Sequence, residues 1–292
     1  MKMNKILLLG GTGFIGKVLL NKLEQYHSTK IMIHSTNLQT TAQKFKGNIL
    51  NKKSFFDEIR NDETIINLLG QLTANESDCI KSNIHGGLNL LNSCIDKKIR
   101  QIILISSINV YGENLKRSSK ETDPSNPASN YGKIKMITEE MYKNFSETYG
   151  INVTVLRLAG IYGPNGNSGF LTQIIKSIKN KNIIPICYNN GEQQRDMLYI
   201  DDAIDCILNT LNSEPRGFNI FNISSGNRYS MNELISMIER ISKEKISVKY
   251  SSEIPDEKCI WADNSKAKKL LKFNPKIKIE TGLKHMISQF SN

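Results

Sequence analysis

Lys5-Ile6-Leu7-Leu8-Leu9-Gly10-Gly11-Thr12-Gly13-Phe14-Ile15-Gly16 is the stretch on which the fold turns. A short apolar strand runs straight into glycines at 10, 13 and 16. Gly10 permits a sharp turn, Gly13 lets the backbone approach a ligand with no Cβ in the way, and Gly16 lets the next helix pack closely on the strand. Val18, Leu19, Leu20 and Leu23 then recur at helical spacing. A strand, a glycine turn and an amphipathic helix in that order leave free N–H groups and the positive end of a helix dipole at the turn. A dinucleotide pyrophosphate binds in such a place. Gly10, Thr12, Gly13, Phe14, Ile15 and Gly16 are therefore candidate cofactor contacts.

Outward from that turn, strand and helix signals alternate. Strands are expected at 30–34, 47–50, 64–69, 101–106 and 153–158. Helices are expected at about 13–26, 53–60, 79–97 and 129–150, with Gly150 suited to the C-terminal cap of the last. Apolar strands separated by helices predict an α/β fold, a doubly wound parallel sheet of the Rossmann type. After Gly163-Pro164 the pattern loosens. A loop at 165–168 leads to an amphipathic helix at 170–178. Asp201-Asp202 marks a helix start, and Ser230 is a plausible N-cap for a helix at 231–241. The lysine-rich end reads as a smaller α/β lobe over the sheet's C-terminal edge. The expected division is 1–165, with 195–215 returning to it, as the cofactor domain, and 166–194 with 216–292 as the substrate lobe.

The formal net charge of +11 invites a nucleic-acid reading, but the Lys and Arg residues are dispersed and no basic run interleaves with aromatics. No nucleic-acid partner is expected. No segment reaches the roughly 18 unbroken apolar residues of a membrane span. Met1 and Lys2 ahead of an apolar run resemble a signal peptide, yet the glycines interrupt that run at once and no small-residue cleavage site follows, so a cytoplasmic enzyme is expected. The five cysteines, Cys79, Cys94, Cys187, Cys206 and Cys259, form no C-x-x-C pair. Buried free thiols are expected. The four histidines do not cluster with other ligands, and no structural metal is expected.

Tyr131 and Lys135 stand four residues apart on the long helix, so both side chains leave one face. An ammonium beside a phenol lowers the phenol's pKa from about 10, and a phenol so tuned removes a proton from a sugar hydroxyl as hydride leaves for nicotinamide. Ser107 follows the strand at 101–106, at the strand end where a doubly wound sheet meets its ligand. Its hydroxyl both donates and accepts, so it can hold an oxygen whose charge changes.

Together these residues resemble the extended short-chain dehydrogenases/reductases that act on nucleotide sugars. That family includes NAD(P)-dependent C4 epimerases, 4,6-dehydratases and 4-ketoreductases. The resemblance covers almost the whole chain. Ser107, Tyr131 and Lys135 match its catalytic Ser/Thr, Tyr and Lys, and Gly10-x-x-Gly13-x-x-Gly16 its cofactor loop. Asn67-Leu68-Leu69-Gly70 is similar to the loop past the cofactor ribose, and Asn83 lies where the family often has Asn. The resemblance also implies cofactor contacts at His34, Ser35, Asn48, Ile49, Leu68, Leu69 and Gly70. Leu156-Arg157 through Ile161-Tyr162-Gly163-Pro164 resembles its strand-6 motif. Arg195, in Gln194-Arg195-Asp196, resembles the arginine that holds the substrate diphosphate. Trp261-Ala262-Asp263 resembles the epimerases' C-terminal motif, which places Asp256 at the nucleotide ribose; Asn109 joins the substrate set. A homodimer through the helices near 79–97 and 131–149 is likewise implied.

The departures shape the expected function. His34 replaces the acid that meets the ribose 2′-hydroxyl of NAD, which makes NADP plausible beside NAD. Ile108-Asn109 replaces the dehydratases' Asp-Glu pair, removing the proton donor for water elimination. Gly160 and Glu253 stand where members carry a substrate Asn and a second diphosphate Arg. The expected function is reversible hydride transfer at the hexose C4 of a nucleoside-diphosphate sugar. An NADPH-dependent 4-ketoreductase and a catalytically silent cofactor-binding scaffold are the alternatives.

Overall fold

A computed structural model describes residues 4–34, 38–70, 75–113, 116–166, 169–181, 183–253 and 258–291. The apolar runs pack on both faces. Along β1 (Lys5–Leu9), Ile6 and Leu8 enter one core while Leu7 and Leu9 enter the other. That alternation is what a strand with helices on both sides requires. Helix α1 (Phe14–Leu23) follows, then β2 (Ser28–Ile33), β3 (Gln43–Lys46) and β4 (Glu63–Asn67). Helices α2 (Glu76–Ile80) and α3 (Gly86–Cys94) lead to β5 (Gln101–Ser107), α4 (Asn130–Tyr149), β6 (Val153–Leu158) and β7 (Gly160–Tyr162). Beyond lie α5 (Phe170–Lys179), β8 (Ile186–Cys187), β9 (Gln194–Arg195), β10 (Met197–Tyr199), α6 (Ile200–Ser213) and β11 (Phe218–Ile223). The chain ends in β12 (Tyr229–Ser230), α7 (Met231–Ser242), β13 (Lys249–Tyr250), β14 (Cys259–Ile260), α8 (Ser265–Leu271) and α9 (Ile279–Ser291).

Seven parallel strands form the central sheet in the order β11-β6-β5-β4-β1-β2-β3. The fold is thus the doubly wound Rossmann type. The order reverses between β1 and β4, which opens a crevice above their C-terminal ends, where such sheets meet ligands. Gly10 turns there with φ 84°, and a Cβ on it would meet the Leu68 carbonyl carbon at 3.1 Å.

Several elements differ from expectation. The strand expected at 47–50 lies at 43–46, on the edge of the sheet; only Phe45 is shielded there, so no apolar alternation announces it. The helix expected at 53–60 is two short 3-10 turns, because Ser54 accepts from the Asn48 N–H and donates to the Asn51 carbonyl, competing with helix formation. The helix expected at 79–97 contains a π turn at Lys81–His85, where the Asn83 side chain donates to the Cys79 carbonyl that a regular helix gives to a backbone N–H. The lobe expected from 216 onward missed β11, which pairs with β6 in the main sheet. Helix α4 matches closely. Ser129 accepts from the Gly132 N–H at 3.2 Å, and Gly150 closes the helix with φ 66°.

Candidate active site

Gly10, Thr12, Gly13, Leu68, Leu69, Gly70, Asp78 and Ser82 line a cleft of about 420 Å³ at the sheet's switch point. The N-cap of α1 is Gly13, which has no side chain to cap the helix, so among the described residues its first N–H groups stay available to a ligand. A Cβ on Gly16 would come within 2.6 Å of Gly11 Cα, which explains the third glycine as a packing requirement. Asn83 is buried against Gly70, and its Oδ1 has no hydrogen-bond partner among the described residues.

Phe14 and Ile15 stand on the first turn of α1 and pack toward the larger core. His34 is exposed just past β2. Asn48 serves its own loop, accepting from the Leu50 N–H, and Ile49 is buried. None of these five lines the cleft. Ser35 and Asp256 lie outside the described residues. Asp78 and Ser82 were missed by the sequence reading; their signal is the Asn75 cap that starts α2 and turns Asp78 toward the glycines.

Ser107 closes β5 and is 8% exposed. Its Oγ accepts from the Asn109 N–H at 3.2 Å and donates to Asn109 Oδ1 at 3.1 Å, so the pair makes one compact turn. The first turn of α4 presses against that turn. A Cβ on Gly132 would fall 2.6 Å from the Asn109 carbonyl oxygen. Tyr131, beside Gly132, is thereby held near the strand end. Lys135 is 3% exposed, donates to the Ile105 carbonyl at 3.1 Å and lies 5.8 Å from the centre of the Tyr131 ring.

The charges differ from expectation. Burial pushes the Tyr131 phenol above its ordinary value, and the neighbouring Cys79 adds to the rise. Burial pulls the Lys135 ammonium down to about 8. The expected acidification of Tyr131 by Lys135 is therefore not found. The ammonium sits over the ring face and bonds to the Ile105 carbonyl, while loss of water around a phenolate dominates. Helix α4 packs against α2, whose Asp78 lines the cleft, which sets the helix bearing Tyr131 and Lys135 beside it.

Across the fold, β9 is the centre of a small sheet ordered β12-β9-β14. Arg195 on it is half-buried, with Nη1 donating to the Gln194 carbonyl at 2.8 Å. Asp196 is buried; it accepts from the Ser225 N–H and hydroxyl, yet burial lifts it to about 6. Arg228, stacked 4.6 Å from the Trp261 ring centre, is a second cation at this sheet that the sequence reading passed over.

A model of the NAD dependent epimerase/dehydratase family matches residues 6–224. The chain belongs to that family. The match spans the glycine turn, Ser107, Tyr131, Lys135 and Arg195. UDP-glucuronate 4-epimerase of Thermodesulfobacterium geofontis is 34% identical over 72% of this chain, and the match spans 65% of that protein's own length. The structure of a UDP-glucose 4-epimerase from Thermotoga maritima, with UDP-glucose, is 28% identical at TM-score 0.89 and covers 98% of each chain. That of a UDP-glucuronic acid 4-epimerase from Bacillus cereus, with UDP-glucuronic acid and NAD, is 25% identical at TM-score 0.88, covering 98% of this chain and 99% of that one. No helix among the described residues is long and apolar enough to cross a membrane.

Proposed function

We propose that the chain is an NAD-dependent UDP-sugar 4-epimerase. One observation carries the proposal: the first turn of α4, bearing Tyr131 and Lys135, is seated on the Ser107–Asn109 turn, and α4 packs on α2, whose Asp78 lines the glycine cleft. The 4-epimerases among its relatives support the sugar position and the nucleotide.

The residues fit the dinucleotide. The glycine cradle leaves no Cβ over the α1 N-terminus, and Asn83 Oδ1, without a partner among the described residues, is a buried acceptor next to Gly70. Gly10, Thr12 and Gly13 would hold its pyrophosphate; Leu68, Leu69, Gly70 and Asn83 its middle; Lys135 its nicotinamide ribose; His34 and Ser35 its adenosine end. Bound NAD would supply a hydride acceptor that later returns the hydride to the sugar's C4.

Tyr131 would take the proton of the C4 hydroxyl and give it back. Ser107, oriented by Asn109, would hold the same oxygen as its charge changes. The Lys135 cation, in a site with little water, would favour the phenolate while the proton moves. Arg195 would anchor the diphosphate, with Asp256 on the nucleotide ribose. The β12-β9-β14 sheet, α5 and α7 would form the substrate lobe.

A second reading follows from the raised Tyr131. A phenol that keeps its proton suits the reductive half of this chemistry, so a 4-ketoreductase using the same residues in one direction stands behind the epimerase. His34 in place of an acid keeps NADP in contention for that role. Incubation with UDP-glucose, UDP-glucuronic acid and UDP-N-acetylglucosamine, read by proton NMR, decides. The epimerase yields C4 epimers with no net change in NADH. Consumption of NADPH with a 4-keto sugar nucleotide and no epimer would replace it by the reductase. NAD binding with neither turnover would leave a scaffold.

We further propose a homodimer in the cytoplasm. Leu88 on α3 and Ile137 on α4 are 44% and 45% exposed, the apolar surface such a helical interface needs. The five free buried cysteines suit a reducing compartment. Light scattering that gives the mass of a single chain would overturn the dimer.

A further inference from the structure

Glu139 stands one turn beyond Lys135 on α4 and is 3% exposed. Its carboxylate accepts from Arg157 Nε at 3.1 Å and from Nη2 at 2.6 Å, and also from the Ser106 hydroxyl. Arg157, on β6, is 4% exposed. Its guanidinium lies 4.7 Å from the centre of the Tyr111 ring, and Nη2 reaches Ser125 Oγ at 3.5 Å. Tyr111 in turn donates to Asn222 Oδ1 on β11 at 2.7 Å.

The placement of these contacts is informative. Two consecutive residues of β5 meet α4, and the next is the candidate catalytic hydroxyl. The Ile105 carbonyl receives Lys135, the Ser106 hydroxyl binds Glu139, and Ser107 is the candidate catalytic hydroxyl. Tyr111 ends the 3-10 turn that carries Asn109, and Ser125 lies on the segment leading to the α4 cap. One ion pair therefore touches every element that bears a member of the catalytic set.

A buried ion pair is a poor way to add stability, since well-packed apolar residues of similar volume often serve as well or better. A carboxylate–guanidinium fork does fix direction, which an apolar contact does not. We propose that Glu139 and Arg157 are positioning residues that set the rotation and height of α4 against the end of β5, so that Tyr131 and Lys135 meet Ser107 in register. This rests on the epimerase reading of the site.

The test is the double variant E139M/R157M, with R157K beside it. Wild-type C4 epimerisation is measured first; its absence refutes the epimerase reading and leaves the structural readout below to judge the pair. The expected result for the double variant is an unfolding temperature at or above wild type, NAD affinity and KM within about threefold, and kcat lower by about tenfold or more, since misplacement near 1 Å costs on the order of a hundredfold. A stable double variant with wild-type kcat overturns the proposal. If the double variant does not fold, R157K decides. It keeps the charge and loses the fork, so kcat should fall with KM and unfolding temperature unchanged; wild-type kcat in R157K overturns the proposal. The activity-independent readout is a crystal structure of whichever variant folds. A first turn of α4 moved by more than about 0.5 Å relative to Ser107 supports the proposal, and an unmoved helix defeats it.

Discussion

Gly132 offers the sharpest way to separate folding from catalysis at this site. An alanine there would put its Cβ 2.6 Å from the Asn109 carbonyl oxygen and 2.7 Å from Pro127 Cβ. Ordinary contact begins near 3.5 Å, so the first turn of α4 must back away by about 0.9 Å. Two effects on stability then oppose each other. Overpacking costs about 1–3 kcal/mol, whereas alanine in place of glycine in a helix recovers up to about 1 kcal/mol. The net change is a loss of about 0–3 kcal/mol. Catalysis has no such compensation. Moving Tyr131 by close to 1 Å from the oxygen held by Ser107 costs on the order of a hundredfold. Gly132→Ala should therefore fold, bind NAD with near-wild-type affinity, and lose between about ten- and a hundredfold in kcat. Steady-state epimerisation and a thermal melt on the same sample measure both halves. Wild-type kcat in a folded Gly132→Ala protein would refute the claim that the two turns are held in catalytic register by this contact.

Tyr131→Phe should abolish turnover while isothermal titration shows NAD affinity within a few-fold of wild type; residual activity above about 1% would remove the phenol from its role as acid and base. Lys135→Met should be both inactive and more stable. Burial takes Lys135 from its ordinary 10.5 to about 8, and at about 1.36 kcal/mol per pH unit its charge costs at most ~3 kcal/mol below pH 8. The unfolded chain binds the extra proton between about pH 8 and 10.5, so this contribution makes wild-type stability rise with pH across that window and leaves it flat below. Denaturant titrations at pH 7 and 9.5 test the sign, and a Lys135→Met variant less stable than wild type at pH 7 would contradict it. Asp196 works in the opposite sense. Its folded pKa is raised from 3.8 to about 6, so the folded chain holds the extra proton and stability falls as pH rises from about 4 to 6. Asp196→Asn should lose that slope, and an unchanged slope in the variant would exonerate this group.

The parts of the fold legible in the sequence were those whose signal is local. β1 and β6 are buried on both faces, and the run Ile6–Leu9 marks the first while Val153, Val155, Leu156 and Leu158 mark the second. α4 carries its own start and stop in Ser129 and Gly150. What escaped depends on neighbours. β3 exists because main-chain groups of β2 pair with it, not because its side chains need burying. β11 falls within the lobe expected at 216–292, whereas the partner that places it in the main sheet, β6, lies far back in the sequence. The π turn arises from one asparagine side chain that competes for a carbonyl, and spacing alone does not reveal where a side chain will spend its hydrogen bonds.

The same division runs through the site. Spacing was enough to put Tyr131 and Lys135 on one face of α4, since residues four apart on a helix share a face whatever surrounds them. Protonation could not be read that way. From the sequence, an ammonium near a phenol is a pair whose charges favour each other. In the fold both are withdrawn from water, and desolvation opposes each charge separately: Tyr131 rises and Lys135 falls. Burial of this kind is a sum over the whole molecule, and no window of sequence contains it. The consequence is mechanistic. A site with Tyr131 protonated and Lys135 near its titration point around pH 8 has its proton ready to give. Its activity should then respond to pH through the lysine before the tyrosine ionises. A kcat profile that bends near pH 8 in wild type would place the controlling group at Lys135, and a profile flat from pH 6.5 to 9.5 would show that the ammonium does not govern the transfer.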